Sequence, residues 1–445
     1  MNLAALALQI PEILLPNADV DLQRWAVIAC DQYTSEPDYW QAVDKQVADA
    51  PSTLRLIFPE VYLEEDDSET RIAGINASMT SYLADGVLVS HGQGCVLVDR
   101  QTPRVPSRKG LVVALDLEAY DYRPGAKTLI RATEGTIIDR LPPRIRVRRN
   151  APVELPHIMV LIDDPEQTVI EPLCQAELKK LYDFELMQNG GHLRGWKVDQ
   201  PAHLEQVTRA LQALADRERY LQRYAVDDDA VMLYAMGDGN HSFATAKAIW
   251  EQRKAEAPDP AAIMDDPARY ALVELVNVHD PGLEFEAIHR VVFDIDGRQL
   301  LHSAQDYFRQ QGLTATVVAH ASLDEARRAA AMAPQDHAVP FVTSEGFGLL
   351  QVTEPTLTLA VATLQDFLDH ELPDRPAARL DYIHGDQAVT RIGSQSNNIG
   401  FYLPAISKHD LFRTIIRDGA LPRKTFSMGE ADEKRFYMEA RRITR

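Results

Sequence analysis

Chemistry is densest in the stretch AMGDGNHSFATAKAIW (235–250). A short apolar strand, VMLYAM (231–236), runs out there, and the pattern predicts a helix from about Ser242. Gly237 and Gly239 let a ligand approach the backbone closely. Asp238, Asn240, His241 and Ser242 would add free amide N–H groups at the positive end of a helix dipole. These are the requirements of an anion or phosphate cradle, and His241 would add a side-chain donor. The spacing is not that of a Walker A loop. The same residues equally suit a plain strand-to-helix turn with Asn240 or Ser242 as the N-cap.

A second polar block, Asp31-Gln-Tyr-Thr-Ser-Glu36, follows the apolar run RWAVIAC (24–30), which reads as a buried strand. Polar side chains at a strand end are held rigidly and exposed by the loop. Glu36 suits a general base, with Asp31 or Thr34 positioning a substrate and Tyr33 beside them. The alternative makes Ser35 an N-cap and Glu36 a first-turn carboxylate. A third block, Arg131-Ala-Thr-Glu134-Gly-Thr136, is followed by Arg140 and RIRVRR (144–149). Arginine forks beside Thr-x-Gly-Thr suit phosphate, and the alternating arginines read as a basic edge strand. Asp163 and Asp164 follow the strand HIMVLI, as a magnesium carboxylate or as a turn before Pro165. His289 and Arg290 end another apolar stretch, a pair more often structural than functional. The 13 histidines form no His-x-x-x-His or His-Glu-x-x-His pattern, which argues against a transition-metal site. Gly-x-Ser-x-Gly and strand-borne Gly-x-Gly-x-x-Gly motifs are also missing.

Short apolar runs alternating with helical segments predict a mixed α/β (α+β) fold. The expected elements include a helix from Tyr39 to about Ala50, a helix ending at Gly86, a hairpin at VLVSHGQGCVLVDRQ turning at 92–94, one long amphipathic helix over 205–224, and a second hairpin at AVPFVTSEGFGLLQV (338–352). The pattern changes past Arg290, so the expected division is 1–295 as a core, 296–375 as an accessory unit, and 376–445 returning to the core. At 445 residues with 45% hydrophobic content, the chain has material for large cores. Lysine and arginine total 46 against 66 aspartates and glutamates, a net charge of −20, which disfavours nucleic acid and anionic membranes as partners. Three scattered cysteines and the lack of a signal-peptide pattern or long apolar run make a soluble, reduced cytoplasmic protein the expectation.

Five blocks carry a resemblance to a known family: ACDQYTSEPDYW (29–40), RATEGT (131–136), GDGNHSFATA (237–246), NVHDPGLEFEAIHR (277–290) and LPRKTFSMGEADEKRFY (421–437). In this order they resemble the "domain of unknown function 1015" proteins, which include a kinase that phosphorylates free L-serine using ADP or ATP. The resemblance implies a ParB/sulfiredoxin-like nucleotide-binding core and phosphoryl transfer to serine or a similar hydroxylated amino acid. It also implies Mg2+, with Asp238 a ligand through water, and Glu36 as the base. Arg131, Glu134 and Thr136 would stand near the phosphates, and His289, Arg290, Lys424 and Thr425 along the cleft. The family's Asp-Gly-His-His-Arg block is here Asp238-Gly239-Asn240-His241-Ser242, with serine in place of the arginine. The alternative implied is a non-catalytic nucleotide- or amino-acid-binding regulator of ParB-like type.

Overall fold

The computed structural model describes residues 2–63, 67–123, 125–226 and 230–445. They form two compact units: Met1–Glu284 with Gly429–Arg445, and Phe285–Met428. These boundaries differ from the expected breaks at 295 and 376. The reason is sheet pairing: Phe285–Phe293 is hydrogen-bonded to Arg379–His384, Ile399–Phe401 and Phe426–Met428, so one sheet claims residues on both sides of each expected break.

The first unit is built on a nine-stranded mixed sheet. Its order is Ile130–Arg131, Tyr234–Asp238, Met159–Ile162, Tyr270–Asn277, Arg108–Asp116, Cys95–Gln101, His192–Val198 and Lys179–Glu185, with Leu8–Gln9 paired to Arg108–Asp116. Ile130–Arg131 runs parallel to Tyr234–Asp238, and Met159–Ile162 runs parallel to Tyr270–Asn277. The central strands read as continuous apolar runs because both sheet faces are covered. Side chains alternate across the sheet: Val96, Val98 and Val112 join one core, while Leu97, Leu111 and Val113 join the other.

Several elements depart from the local expectation, each for a tertiary reason. The short helix Leu22–Trp25 takes the first two residues of RWAVIAC, and the rest is extended backbone with a single bridge from Ile28 to Phe436. The run is apolar because the C-terminal segment covers it: the Tyr437 N–H donates to the Val27 carbonyl at 2.8 Å and the Ala29 N–H to the Arg435 carbonyl at 2.9 Å. Leu88–Gln93 and Cys95–Gln101 are strands, yet not a hairpin. The former pairs with Glu12–Pro16, and the latter belongs to the large sheet. The expected long helix is two, Pro201–Leu214 and Arg217–Tyr224, because Asp216 caps the second by accepting the Arg219 N–H at 3.0 Å. The expected basic edge strand is instead a helix, Leu141–Arg148, opened by prolines in its first turn. Helical spacing then sends Arg144 to Glu60 and Arg148 to Glu154.

The second unit is an antiparallel sheet ordered Thr314–His320, Gly346–Thr353, His337–Thr343, Ile399–Phe401, Phe285–Phe293 and Arg379–His384, with Phe426–Met428 also on Phe285–Phe293. The hairpin expected at 338–352 is present. Helices Gly297–Gln310 and Ala360–Glu371 bury Leu300, Ala304, Phe308, Leu364, Phe367 and Leu368 into its core.

In the first unit, the returning segment is anchored by Arg435, buried between Glu274 and Glu439, with Tyr182 donating to Glu439. Removing the cation would strand two buried carboxylates. Arg435→Met is therefore expected to destabilise the first unit by about 3–5 kcal/mol. The urea midpoint of that unit's transition, followed separately from the second unit's, is the measurement.

Candidate functional site

The strand Tyr234–Asp238 ends in a bulge, since its register against Met159–Val160 shifts between Met236 and Asp238 and leaves Gly237 extra. Gly239 then adopts φ 76°, and a Cβ there would stand 3.0 Å from Ile158 Cγ1 and 3.1 Å from its backbone. Both the conformation and the close approach require glycine. The 17-residue site helix, Asn240–Glu256, starts at once, with Gly239 rather than Ser242 or Asn240 as its N-cap. Its first bond runs from the Phe243 N–H to the Gly239 carbonyl at 3.0 Å. The amides of Asn240, His241 and Ser242 precede that bond and point out of the helix end. Asn240 Oδ1 is enclosed and has no partner among the described residues.

Asp238 is committed to protein partners. Its carboxylate accepts the Gly239 N–H at 2.8 Å and pairs with the Lys434 ammonium at 3.1 Å. Burial pulls the Asp238 carboxyl upward, but Lys434 and that N–H outweigh it and hold the group ionised, below the usual carboxylate range. Nor do any three His, Cys, Asp or Glu side chains among the described residues gather as a metal cage. The expected Mg2+ ligand role of Asp238 therefore does not fit its environment. His241 Nε2 accepts the Ile137 N–H at 3.3 Å. Burial, then the nearby Arg144 and Arg140, push the imidazole down to about 4, with Asp31 opposing. Both arginines and Asp31 thus act on the mouth of the site helix.

Ser242, third in the helix, turns its hydroxyl to His157, with Oγ and Nε2 2.8 Å apart. His157 Nδ1 lies 2.7 Å from the Tyr437 hydroxyl, which accepts the Cys30 N–H at 3.2 Å. Burial, then the nearby Cys30 and Asp31, raise the Tyr437 phenol far above its ordinary range, so it stays neutral. Ser242, His157, Tyr437 and Cys30 are among the residues that line a cavity of about 140 Å³. Burial raises the Glu60 carboxyl on the same wall, against the opposing pull of Arg144.

Other expected site residues are placed differently. Asp31 acts on His241 only through its charge, whereas Glu36 is exposed, preceding helix Pro37–Val47 and lying outside the cavity wall. Tyr33 stacks on Tyr39 at 3.8 Å, and Thr34 is exposed. Arg131 is a structural arginine. It is buried, and its guanidinium donates to the Thr128 and Ala230 carbonyls, so it is not free to clamp a phosphate. Glu134 is partly buried, and the Thr136 hydroxyl faces the buried Tyr120 phenol. His289, Arg290, Lys424 and Thr425 all belong to the second unit. There His289 Nδ1 accepts the Leu403 N–H at 3.0 Å. Arg290, fully buried, donates to the carbonyls of Ile288, Lys424 and Arg423, and Thr425 donates to the Pro422 carbonyl. These contacts hold a strand to its loop and leave Arg290 no free fork for a ligand.

Sequence reasoning missed His157, Glu60, Lys434 and Tyr437. Lys434 and Tyr437 lie inside the quoted block 421–437, and Arg140 and Arg144 inside the basic stretch. His157 stands directly before an apolar strand, and nothing local marks Glu60.

The sequence pattern of one family, "Protein of unknown function (DUF1015)", matches residues 13–371. No curated protein matches. Among solved structures, the chain is similar to free serine kinase in complex with AMP at 10% identity and TM-score 0.39, over 75% of this chain and 91% of that one. It is also similar to a conserved hypothetical protein from Pyrococcus furiosus at 11% identity and TM-score 0.35, over 75% and 95%. A C-terminally truncated SbnI from Staphylococcus aureus follows at 8% and 0.35, over 72% and 83%.

A histidine held near pKa 4 when folded and near 6.5 when unfolded binds its proton more readily in the unfolded chain. Its contribution therefore disfavours folding as pH falls from about 6.5 towards 4. His241→Gln is expected to flatten that acid slope of stability, read as urea midpoints between these pH values.

Proposed function

The chain belongs to the DUF1015 family of proteins of unknown function, and from its first unit we propose a small-molecule phosphotransferase drawing on ADP or ATP. The observation that carries this reading is the mouth of the site helix. Three outward amides stand at its start, the field of Arg140 acts on it, and Arg144 is held nearby against Glu60, in a protein whose net charge is −20. A local positive field on an acidic surface favours a compact polyanion such as a nucleotide's phosphates over a long one. Phosphoryl transfer asks little covalent chemistry of a protein; positioning and charge stabilisation supply most of the acceleration. The Asp238–Lys434 pair holds the loop in register beside the phosphates. The acceptor expected from the family resemblance is free L-serine or a similar hydroxylated amino acid.

Incubating the full chain with ADP or ATP, Mg2+ and a panel of hydroxylated acceptors, from serine to small alcohols, tests this by mass spectrometry of the products. A phosphorylated acceptor supports the reading. Nucleotide binding without any product supports the regulator reading instead. Arg140→Ala is expected to raise the Kd for ADP about tenfold, the loss of one charge-assisted hydrogen bond. Isothermal titration calorimetry reads this directly.

A further inference from the structure

The cavity beneath the site helix has two kinds of wall. Phe58, Leu63, Met79, Val147 and Val153 make most of it apolar, while the linked group Ser242, His157, Tyr437 and Cys30 supplies polar atoms. Its charged side chains are committed to one another, Glu60 to Arg144 and Glu154 to Arg148. An ammonium or carboxylate placed against the apolar walls would lose its hydration. The volume, about 140 Å³, compares with the roughly 150 Å³ of an engineered apolar cavity that accepts benzene. Of the first three residues of the site helix, Ser242 alone lines the cavity, so its hydroxyl stands between the outward amides and the apolar chamber.

Resting on the phosphotransfer reading above, we propose that this cavity seats the acceptor, that the acceptor is a small alcohol with a compact apolar body, and that Ser242 and His157 relay its proton. The alcohol's hydroxyl hydrogen-bonds to Ser242 Oγ. As the alcohol oxygen bonds to the terminal phosphorus, the bond from that phosphorus to the nucleotide's bridging oxygen breaks. The electron pair leaves with the shortened nucleotide. The alcohol's proton passes to Ser242 Oγ while the Ser242 proton passes to His157 Nε2, 2.8 Å away. Tyr437, 2.7 Å from Nδ1, fixes the ring. Ser242 is the catalytic residue of this relay, and His157 acts through it.

Calorimetry on the full chain with benzyl alcohol, free L-serine and, separately, ADP tests the pocket, and turnover of benzyl alcohol with ADP or ATP tests the relay. Benzyl alcohol is expected to bind and serine not. Val147→Phe should abolish that binding and leave the Kd for ADP unchanged; if it fails to fold, Met79→Phe narrows the same chamber. Ser242→Ala and His157→Gln should each lower kcat about 10²-fold or more while the Kd for ADP holds, and in His157→Gln the KM for the alcohol holds as well, a split that a merely structural role would not produce. Preference for serine over benzyl alcohol overturns the proposal. So does full turnover in Ser242→Ala with loss in Glu36→Gln, which would return the base to Glu36. Failure of the wild-type chain to bind ADP instead refutes the phosphotransfer reading, and Val147-dependent binding of benzyl alcohol then still supports the pocket.

Discussion

Arg435, enclosed between the carboxylates of Glu274 and Glu439, sets the position of everything the candidate site needs from the end of the chain. Such a trio is costly to bury and tolerates little displacement, because any shift leaves a charge unpaired away from water. Its neighbours in sequence point to different tasks. Lys434 meets Asp238 at the end of the strand, and Tyr437 meets His157 under the helix. One buried ion group thereby holds the ionisation of the loop and the orientation of the histidine in register with each other.

The electrostatics of the site run against those of the whole. A chain with 66 acidic and 46 basic residues concentrates Arg140, Arg144 and Lys434 around one helix mouth. His241 is kept neutral there, so the imidazole accepts the Ile137 N–H and adds no further cation. The cavity behind is nearly the opposite environment, with its rim charges paired and its walls apolar. Ser242 joins the two, its hydroxyl 2.8 Å from His157 Nε2.

Elements whose signal is local were legible in the sequence. The hairpin at 338–352, the helix that closes on Gly86, and the strand-to-helix break at Gly237–Gly239 all follow from periodicity and glycine placement. Where a segment's environment comes from elsewhere, the same signals misled. RWAVIAC is as apolar as a central strand because residues 435–440 lie over it. The two strands around Gly94 carry hairpin spacing but find their partners in different sheets. Alternating arginines at 144–149 look like an edge strand until Pro142 and Pro143 start a helix that gives Arg144 and Arg148 the same face. Arg131 and Arg290 illustrate the same limit, since burial turned their forks onto backbone carbonyls.

From the chain alone came the class of fold, the loop that must hold glycine, and the helix end capable of facing an anion. These depend on backbone conformation and burial pattern, which neighbouring residues encode. Only the folded chain decided that His157, Lys434 and Tyr437 converge on that loop, and that the side chains of Arg131, Arg290 and Thr425 turn onto backbone carbonyls. Convergence across such sequence separations is produced by core packing and by the ion group that pins the returning segment, and no spacing along the chain records it.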